Sequence, residues 1–471
     1  MLSTLLADIG ASGQPLPPVQ LIEKARELVD KNYAVTPALH SDLLISLGVR
    51  YQQLRMSDRQ RDMRELAEAA ARRSGDAQAI ASALCAAPEP DANQGRAAQV
   101  QARLDEARRV MAATQGEPRL AVRLACLNAE IFLAGARGDH PEAIRLAQQA
   151  VKLFEDADQR DGLPYVTAVG NLAFQHQRAG QFKEAFALYL QLGEVMDATG
   201  RSDTTDRLTV LANVGIQQSN FGEHRASTDT FAQALTRAQG TDLSQPVGDA
   251  GLARSYGVGL FQLHRLEEAI RWLAYAQQKA RQGGAVPVEL DACMTLARSH
   301  LRLRNLDKAD DVLKGCEATL AGNPVRQLSQ GSRIALTRAE WLLARGDAAA
   351  AHAALQKLVA QVPDAPAPAN DRDRVWFLPV VVAAALAVGE LAEARGRAEI
   401  YLESAGRVAR VPEQSANVGR AWALLADVQQ RQGQPREAQA ARQRALPILQ
   451  VSLGAQHPEA KKIQALLAPV P

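Results

Sequence analysis

One short turn recurs along the chain. Gly180-Gln181-Phe182-Lys183-Glu184-Ala185 has counterparts at Arg55, Gly95, Gly138, Gly222, His264, Arg304, Gly346, Gly389 and Gly433, so successive turns are spaced by 40, 43, 42, 42, 42, 40, 42, 43 and 44 residues. A period that steady predicts a stack of paired helices, because each pair cannot bury its apolar face alone and must lean on the next. The 471 residues would otherwise suggest about three globular domains. The period overrides that expectation in favour of one elongated array.

The chemistry around each turn repeats as well. Five residues after it stand Ala143, Ala185, Ser227, Ala269, Ala309, Ala351, Ala394 and Ala438; seven before it stand Ala173, Gly215, Gly257, Ala297, Ala339 and Ala426. Antiparallel helices joined by a short turn approach closely only where the crossing side chains are small. Larger residues then fill the surroundings: Leu172 and Val214 eight before the turn, Tyr189, Phe231, Leu273, Leu313 and Leu355 nine after.

This pattern resembles the tetratricopeptide repeat, best in Asn171-Leu172-Ala173 with Gly180 to Ala185 and in Leu425-Ala426 with Gly433 to Ala438. The period of about 42 departs from the usual 34 and is similar to the long-helix variant of kinesin light chains and many bacterial regulatory proteins. The resemblance covers residues 119–471 well and implies an all-α fold, a right-handed superhelix of about ten helix hairpins. Four segments are expected: an N-terminal helical segment (1–36) that includes a breaker at Gly10–Pro18 and, with Gly13 standing 42 before Arg55, reads alternatively as a degenerate first repeat, two degenerate repeats (37–118), eight regular repeats (119–454) and a C-terminal capping helix (455–471). The degenerate repeats, with turns at Arg55 and Gly95, carry Gln60 and Val100 where alanine is expected. Residues 1–48 also resemble the piece ahead of the repeats in bacterial Ser/Thr kinases with C-terminal tetratricopeptide arrays. The kinase motifs themselves are absent.

Composition narrows the function. Lys and Arg total 54 against 52 Asp and Glu, so no overall field favours nucleic acid or an anionic membrane. Arg59, Arg61, Arg64, Arg72 and Arg73 cluster, but Asp58, Asp62, Glu65 and Glu68 interleave them, which reads as an ion-paired helix surface. Cys85, Cys126, Cys293 and Cys316 show no metal-ligand spacing and are expected as buried, reduced thiols, which suits a cytoplasmic protein. Residues 1–9 lack the basic region of a signal peptide. Val375–Val388, interrupted by Pro379, is too short to span about 30 Å of hydrocarbon and reads as a helix of the ninth repeat buried on all sides. Ala86–Asn93, Gly240–Gly251 and Val362–Arg374 read as loops, the last the expected protease site.

A helix turns about 100° per residue. First helices that pack through positions eleven, eight, seven and four before the turn therefore present positions thirteen, nine, six and two to the concave side. This face is Thr167, Asn171, Phe174, Arg178; Thr209, Asn213, Ile216, Asn220; Gly251, Ser255, Val258, Gln262; Asp291, Thr295, Arg298, Arg302; and Arg333, Thr337, Glu340, Ala344. Asn171, Asn213, Ser255, Thr295 and Thr337 form a ladder of short polar side chains that can pair with an extended peptide. The family resemblance implies that Asn171 and Asn213 hold peptide backbone. Arg178, Arg298 and Arg302 could clamp carboxylate or phosphate groups, and the alternative is a merely solvated face. In the ninth repeat Trp376, Val380, Ala383 and Ala387 make the inner face apolar, to be covered from within the chain or by a second copy in a homodimer.

No nucleophile elbow, P-loop or zinc-protease motif occurs, and no cofactor or metal is expected. His176 and His300 read as core residues, His140 and His457 as turn residues ahead of prolines. The expected function is a non-catalytic scaffold or sensor binding a protein or extended peptide in its groove, in bacterial signalling or regulation. The alternatives are an enzyme with an unrecognised site in the groove, or a homodimerisation module.

Overall fold

The computed structural model describes residues 18–53, 56–86, 97–114, 116–160, 162–202, 204–239, 243, 245–246, 248–323, 327–360 and 368–468. The expected breaker at Gly10–Pro18 lies almost wholly outside these residues. So do the turns at Arg55 and Gly95, most of the Ala86–Asn93 loop and the proline-rich stretch 361–367. Among the described residues every regular element is helical.

The chain falls into two compact units, residues 1–179 and 180–471. The first contains α1 (Pro18–Tyr33), α2 (Pro37–Gln53), α3 (Ser57–Ser74), α4 (Ala77–Cys85), α5 (Ala97–Ala112), α6 (Leu120–Ala136), α7 (His140–Asp156) and α8 (Leu163–Arg178). The second contains α9 (Phe182–Ala198), α10 (Thr205–Asn220), α11 (His224–Gln239), α12 (Ala250–Gln262), α13 (Leu266–Gln282), α14 (Val286–Arg302) and α15 (Leu306–Ala321). It continues with α16 (Gln327–Arg345), α17 (Ala348–Val359), α18 (Pro368–Val388), α19 (Leu391–Val408), α20 (Ala416–Arg431), α21 (Pro435–Leu453) and α22 (Pro458–Leu467). Within each unit consecutive helices pack against one another, and the fold is that of tetratricopeptide-like repeats.

Seven of the described turns work by the same device. The turn residue takes a left-handed backbone at Gly138, Gly222, Gly346, Gly389 and Gly433, and also at the non-glycine His264 and Arg304, both with φ of 61°. The following N–H then reaches five residues back, as in Glu223 N to Gln218 O (2.9 Å), Asn305 N to His300 O (2.9 Å) and Gln434 N to Gln429 O (2.9 Å). This six-to-one bond satisfies a carbonyl that the ending helix leaves open.

Close packing explains the small residues. All eight side chains five after the turns are 1% exposed or less. A Cβ on Gly215 would lie 2.8 Å from Phe231 Cε1, and one on Gly257 2.9 Å from Leu273 Cγ. The glycine seven before a turn thus makes room for the large residue nine after it. Where alanine becomes Ser227, its hydroxyl donates to Gly215 O at 2.8 Å, so the polar group is not stranded. Pro379 does not end a helix: α18 runs through it.

Two expectations change. The cysteines are not free thiols: Cys85 pairs with Cys126 and Cys293 with Cys316 in disulfides. Disulfides persist in oxidising surroundings, so the cysteines no longer argue for a cytoplasmic protein. The second change concerns the C-terminal helices. Beyond covering the last hairpin, they fold back on the middle of their own unit, where Ala416 N donates to Gly222 O (2.9 Å) and Leu263 packs against the Leu449, Leu453 and Ile463 cluster. No helix among the described residues is long and apolar enough to cross a membrane.

Candidate functional site

With the fold-back, residues 180–471 surround a cavity of about 1130 Å³ that stays half open to solvent. Its wall is built from the first helices of successive hairpins, α10, α12, α14, α16, α18 and α20, with α22 as the closing piece. Much of this wall coincides with the face that the helical register sets on the concave side. Asn220, Ser255, Gln262, Thr295, Arg298 and Arg302 line the cavity, beside Ile216, Val258, Asp291, Arg333 and Glu340. Trp376, Val380 and Ala383 also line it, so the apolar face of α18 is turned onto the cavity of its own chain.

Five of the expected groove residues are not brought there. Asn171, Phe174 and Arg178 belong to the other unit, where Asn171 Nδ2 donates to Asn128 Oδ1 at 3.1 Å and Arg178 is exposed. Asn213 is half-buried away from the lining. Thr337 is sealed, its hydroxyl donating to Arg333 O at 3.1 Å. Ser255 and Thr295 likewise donate to carbonyls four residues back, Gly251 O (2.9 Å) and Asp291 O (3.1 Å). A hydroxyl has one proton, so these two present acceptor lone pairs to a ligand.

The charges are arranged in pairs. Arg298 Nη2 donates to Glu340 Oε1 (2.8 Å), Arg333 Nη1 to Asp291 Oδ1 (2.8 Å), and Arg420 Nε to Glu459 Oε2 (2.8 Å). Lys462 meets Asp427 at 3.2 Å and Arg372 meets Asp373 at 3.6 Å. These pairs use every carboxylate of the lining. Two lining arginines are left over. Arg302 donates to Phe261 O at 3.1 Å and lies 4.0 Å from the centre of the Phe261 ring, a cation–π contact. Arg254 Nε is shut off from solvent without a hydrogen-bond partner. Burial pulls both guanidinium groups below their usual range, Arg302 to about 10; an arginine side chain is not deprotonated in proteins, so both carry a charge. The Trp376 ring lies 4.8 Å from the Arg333 guanidinium and 5.9 Å from that of Arg298.

The closing contacts lie at one end. Arg420 Nη1 donates to Gln262 Oε1 (2.9 Å) and lies 3.5 Å from His224 Nε2. His457 is more than a turn residue: Nδ1 accepts from Glu459 N (3.2 Å) and Nε2 meets Gln262 O (3.2 Å), which fixes the neutral tautomer. Burial holds His224 down to about 3 and His457 down to about 4. Burial alone would raise the carboxyl of Glu459, but Arg420 outweighs it and holds it at about 2.

Arg254, His224, Arg420 and Glu459 were not among the expected groove residues. Arg420 and Asp427 stand thirteen and six before Gly433, so the register applied to the tenth repeat finds them. His224 and Glu459 come from helix starts outside the register and carry no sequence signal.

Two solved structures share this fold over most of the chain. A Rap protein complexed with Competence and Sporulation Factor matches with a TM-score of 0.55 at 14% identity, over 80% of this chain and 98% of its own. The apo form of RapI matches at 0.50 and 12% identity, over 79% and 97%. The apo quorum sensor NprR from B. thuringiensis covers 87% of this chain and 97% of its own at 10% identity, with a TM-score of 0.46. No protein-family model matches the sequence and no curated protein does. None of the matches supports the resemblance of residues 1–48 to a kinase-associated region.

Proposed function

We propose that this tetratricopeptide-repeat-like chain is a non-catalytic binding protein that takes up a peptide segment in the cavity of residues 180–471, as a sensor or scaffold in bacterial signalling. The observation that carries it is the cavity itself. Its volume of about 1130 Å³ exceeds the roughly 300–1,000 Å³ of small-molecule sites. The half-buried Trp376 ring offers an apolar anchor, while Ser255 and Thr295 offer acceptors for backbone N–H groups. The Rap protein with Competence and Sporulation Factor bound supports the reading by its fold.

The test is selection of a displayed random dodecapeptide library on the full chain, with the selected peptides then measured on a Trp376→Ala/Arg298→Ala variant. At least a tenfold loss of affinity is expected in that variant. Unchanged affinity would place binding elsewhere, and turnover of the peptides would favour an enzyme.

A further inference from the structure

Pairing leaves the cavity with two cations to spare. Arg254 and Arg302 both face it, and neither has a carboxylate within ion-pair distance among the described residues. Asp291 and Glu340, which also lie on this wall, are held by Arg333 and Arg298. Arg254 keeps a sealed Nε with no hydrogen-bond partner. Both side chains are half-buried, and a half-buried guanidinium without an ion-pair partner gains from an anion that supplies the missing charge.

The two arginines are set apart along one wall. Arg302 Nη1 bonds Phe261 O, which places its guanidinium level with the end of α12. Arg254 stands seven residues earlier on that helix, about 10 Å at 1.5 Å per residue. An extended peptide advances about 3.3 Å per residue, so the same interval is covered in about three residues.

We propose that the cavity selects a doubly anionic peptide, with one acidic group on Arg254 and a second about three residues along on Arg302. The inference rests on the peptide-binding reading above and adds the ligand's chemistry to it. The guanidinium fork matches a carboxylate or a phosphate in two parallel bonds. An acidic side chain, a chain-terminal carboxylate and a phosphorylated side chain share this chemistry. The wall carboxylates that act on the two arginines, Asp291, Glu340 and Glu459, are themselves held by Arg333, Arg298 and Arg420.

The experiment uses the full chain and the same displayed dodecapeptide library. Cavity binders, defined by loss in the Trp376→Ala/Arg298→Ala variant, are sequenced from selections on the wild type and on an Arg254→Gln/Arg302→Gln variant whose melting is checked by circular dichroism. Expected is enrichment of two acidic residues three apart on the wild type, lost on the double glutamine variant. Synthetic peptides should bind at least tenfold more weakly when either acid becomes its amide, and each single Arg→Gln change should remove the preference for one of the two acids. Comparing free, amidated and phosphoserine-containing peptides separates the three anion sources. Cavity binders without acidic enrichment would overturn the dianion proposal while leaving peptide binding intact. Absence of any cavity-dependent binder would overturn both.

Discussion

Arg410 and Glu223 stand 187 residues apart and meet in a fork, Nε to Oε1 and Nη2 to Oε2, each at 3.0 Å. Glu223 is buried, and the Arg410 guanidinium also lies 5.1 Å from the Phe186 ring. The pair follows directly on the Gly222 turn, whose carbonyl accepts from Ala416. A Cβ at Gly222 would come within 2.5 Å of Ser415 Oγ. The fold-back of the C-terminal helices is thus fastened by backbone and charge together.

Arg410→Ala leaves the Glu223 carboxylate buried without its partner, a loss of about 2 kcal/mol for a charge-assisted contact. The C-terminal helices should open, raising the radius of gyration in small-angle scattering and weakening cavity ligands. Arg410→Ala/Glu223→Gln, which removes the stranded charge, should recover part of the closure. Scattering curves identical to wild type in the single variant would refute a fastening role.

Gly215→Ala tests the hairpin crossing. Alanine in a helix interior is ordinarily better than glycine by about 1 kcal/mol. Here the added methyl would sit 2.8 Å from Phe231, and overpacking of a filled core costs about 1–3 kcal/mol. Urea unfolding should therefore show net destabilisation, with Phe231→Leu in the same chain relieving it. A stabilised Gly215→Ala would mean that the crossing has slack.

The disulfides predict the thiol content. Without reductant, the denatured full chain should show no free thiol by Ellman titration, since all four cysteines are paired. Loops of 41 and 23 residues correspond to roughly 3–4 kcal/mol each in the chain-entropy account, so reduction should lower the melting temperature clearly. Four titratable thiols would restore the expectation drawn from the sequence.

What the sequence could show, it showed through the repeat. Ala143, Ala269 and Ala438 had to be small because two helix backbones meet there, whatever the ligand. His264 and Arg304 were recognisable as turns by spacing although neither is glycine. The inner face followed from helical geometry, which placed Thr295, Arg298 and Arg302 together. The register could not show that Arg298 is taken by Glu340 and Arg302 is not, because pairing depends on rotamers and on neighbouring hairpins. Glu223 with Arg410, and Cys85 with Cys126, join places that do not repeat. A period carries no information about such contacts, and so the closure and the disulfides had to be seen.

Acid should loosen the closure, and the sign follows from three groups at one end of the cavity. His457 is held neutral at about 4 and His224 at about 3, both below the 6.5 of an exposed imidazole. As pH falls from 6.5, the open or unfolded chain binds protons that the closed one refuses, so these groups contribute fully above 6.5 and lose their contribution between 6.5 and about 4, with His224 extending the loss to about 3. Glu459, held at about 2 beside Arg420, acts in the same direction, losing its contribution between about 4.5 and 2. Arg420, Arg302 and His264 face these groups and carry or acquire positive charge, so protonating either imidazole adds repulsion without a new partner. The geometry agrees: a proton on His457 Nδ1 would remove the acceptor that caps Glu459 N. Melting temperature and radius of gyration followed from pH 7.5 to 4 should show steady loss of stability and opening. His457→Asn keeps a good helix cap but does not titrate, so it should flatten much of that slope. An equal slope in His457→Asn and in a His224/His457 double variant would remove the histidines from the acid response.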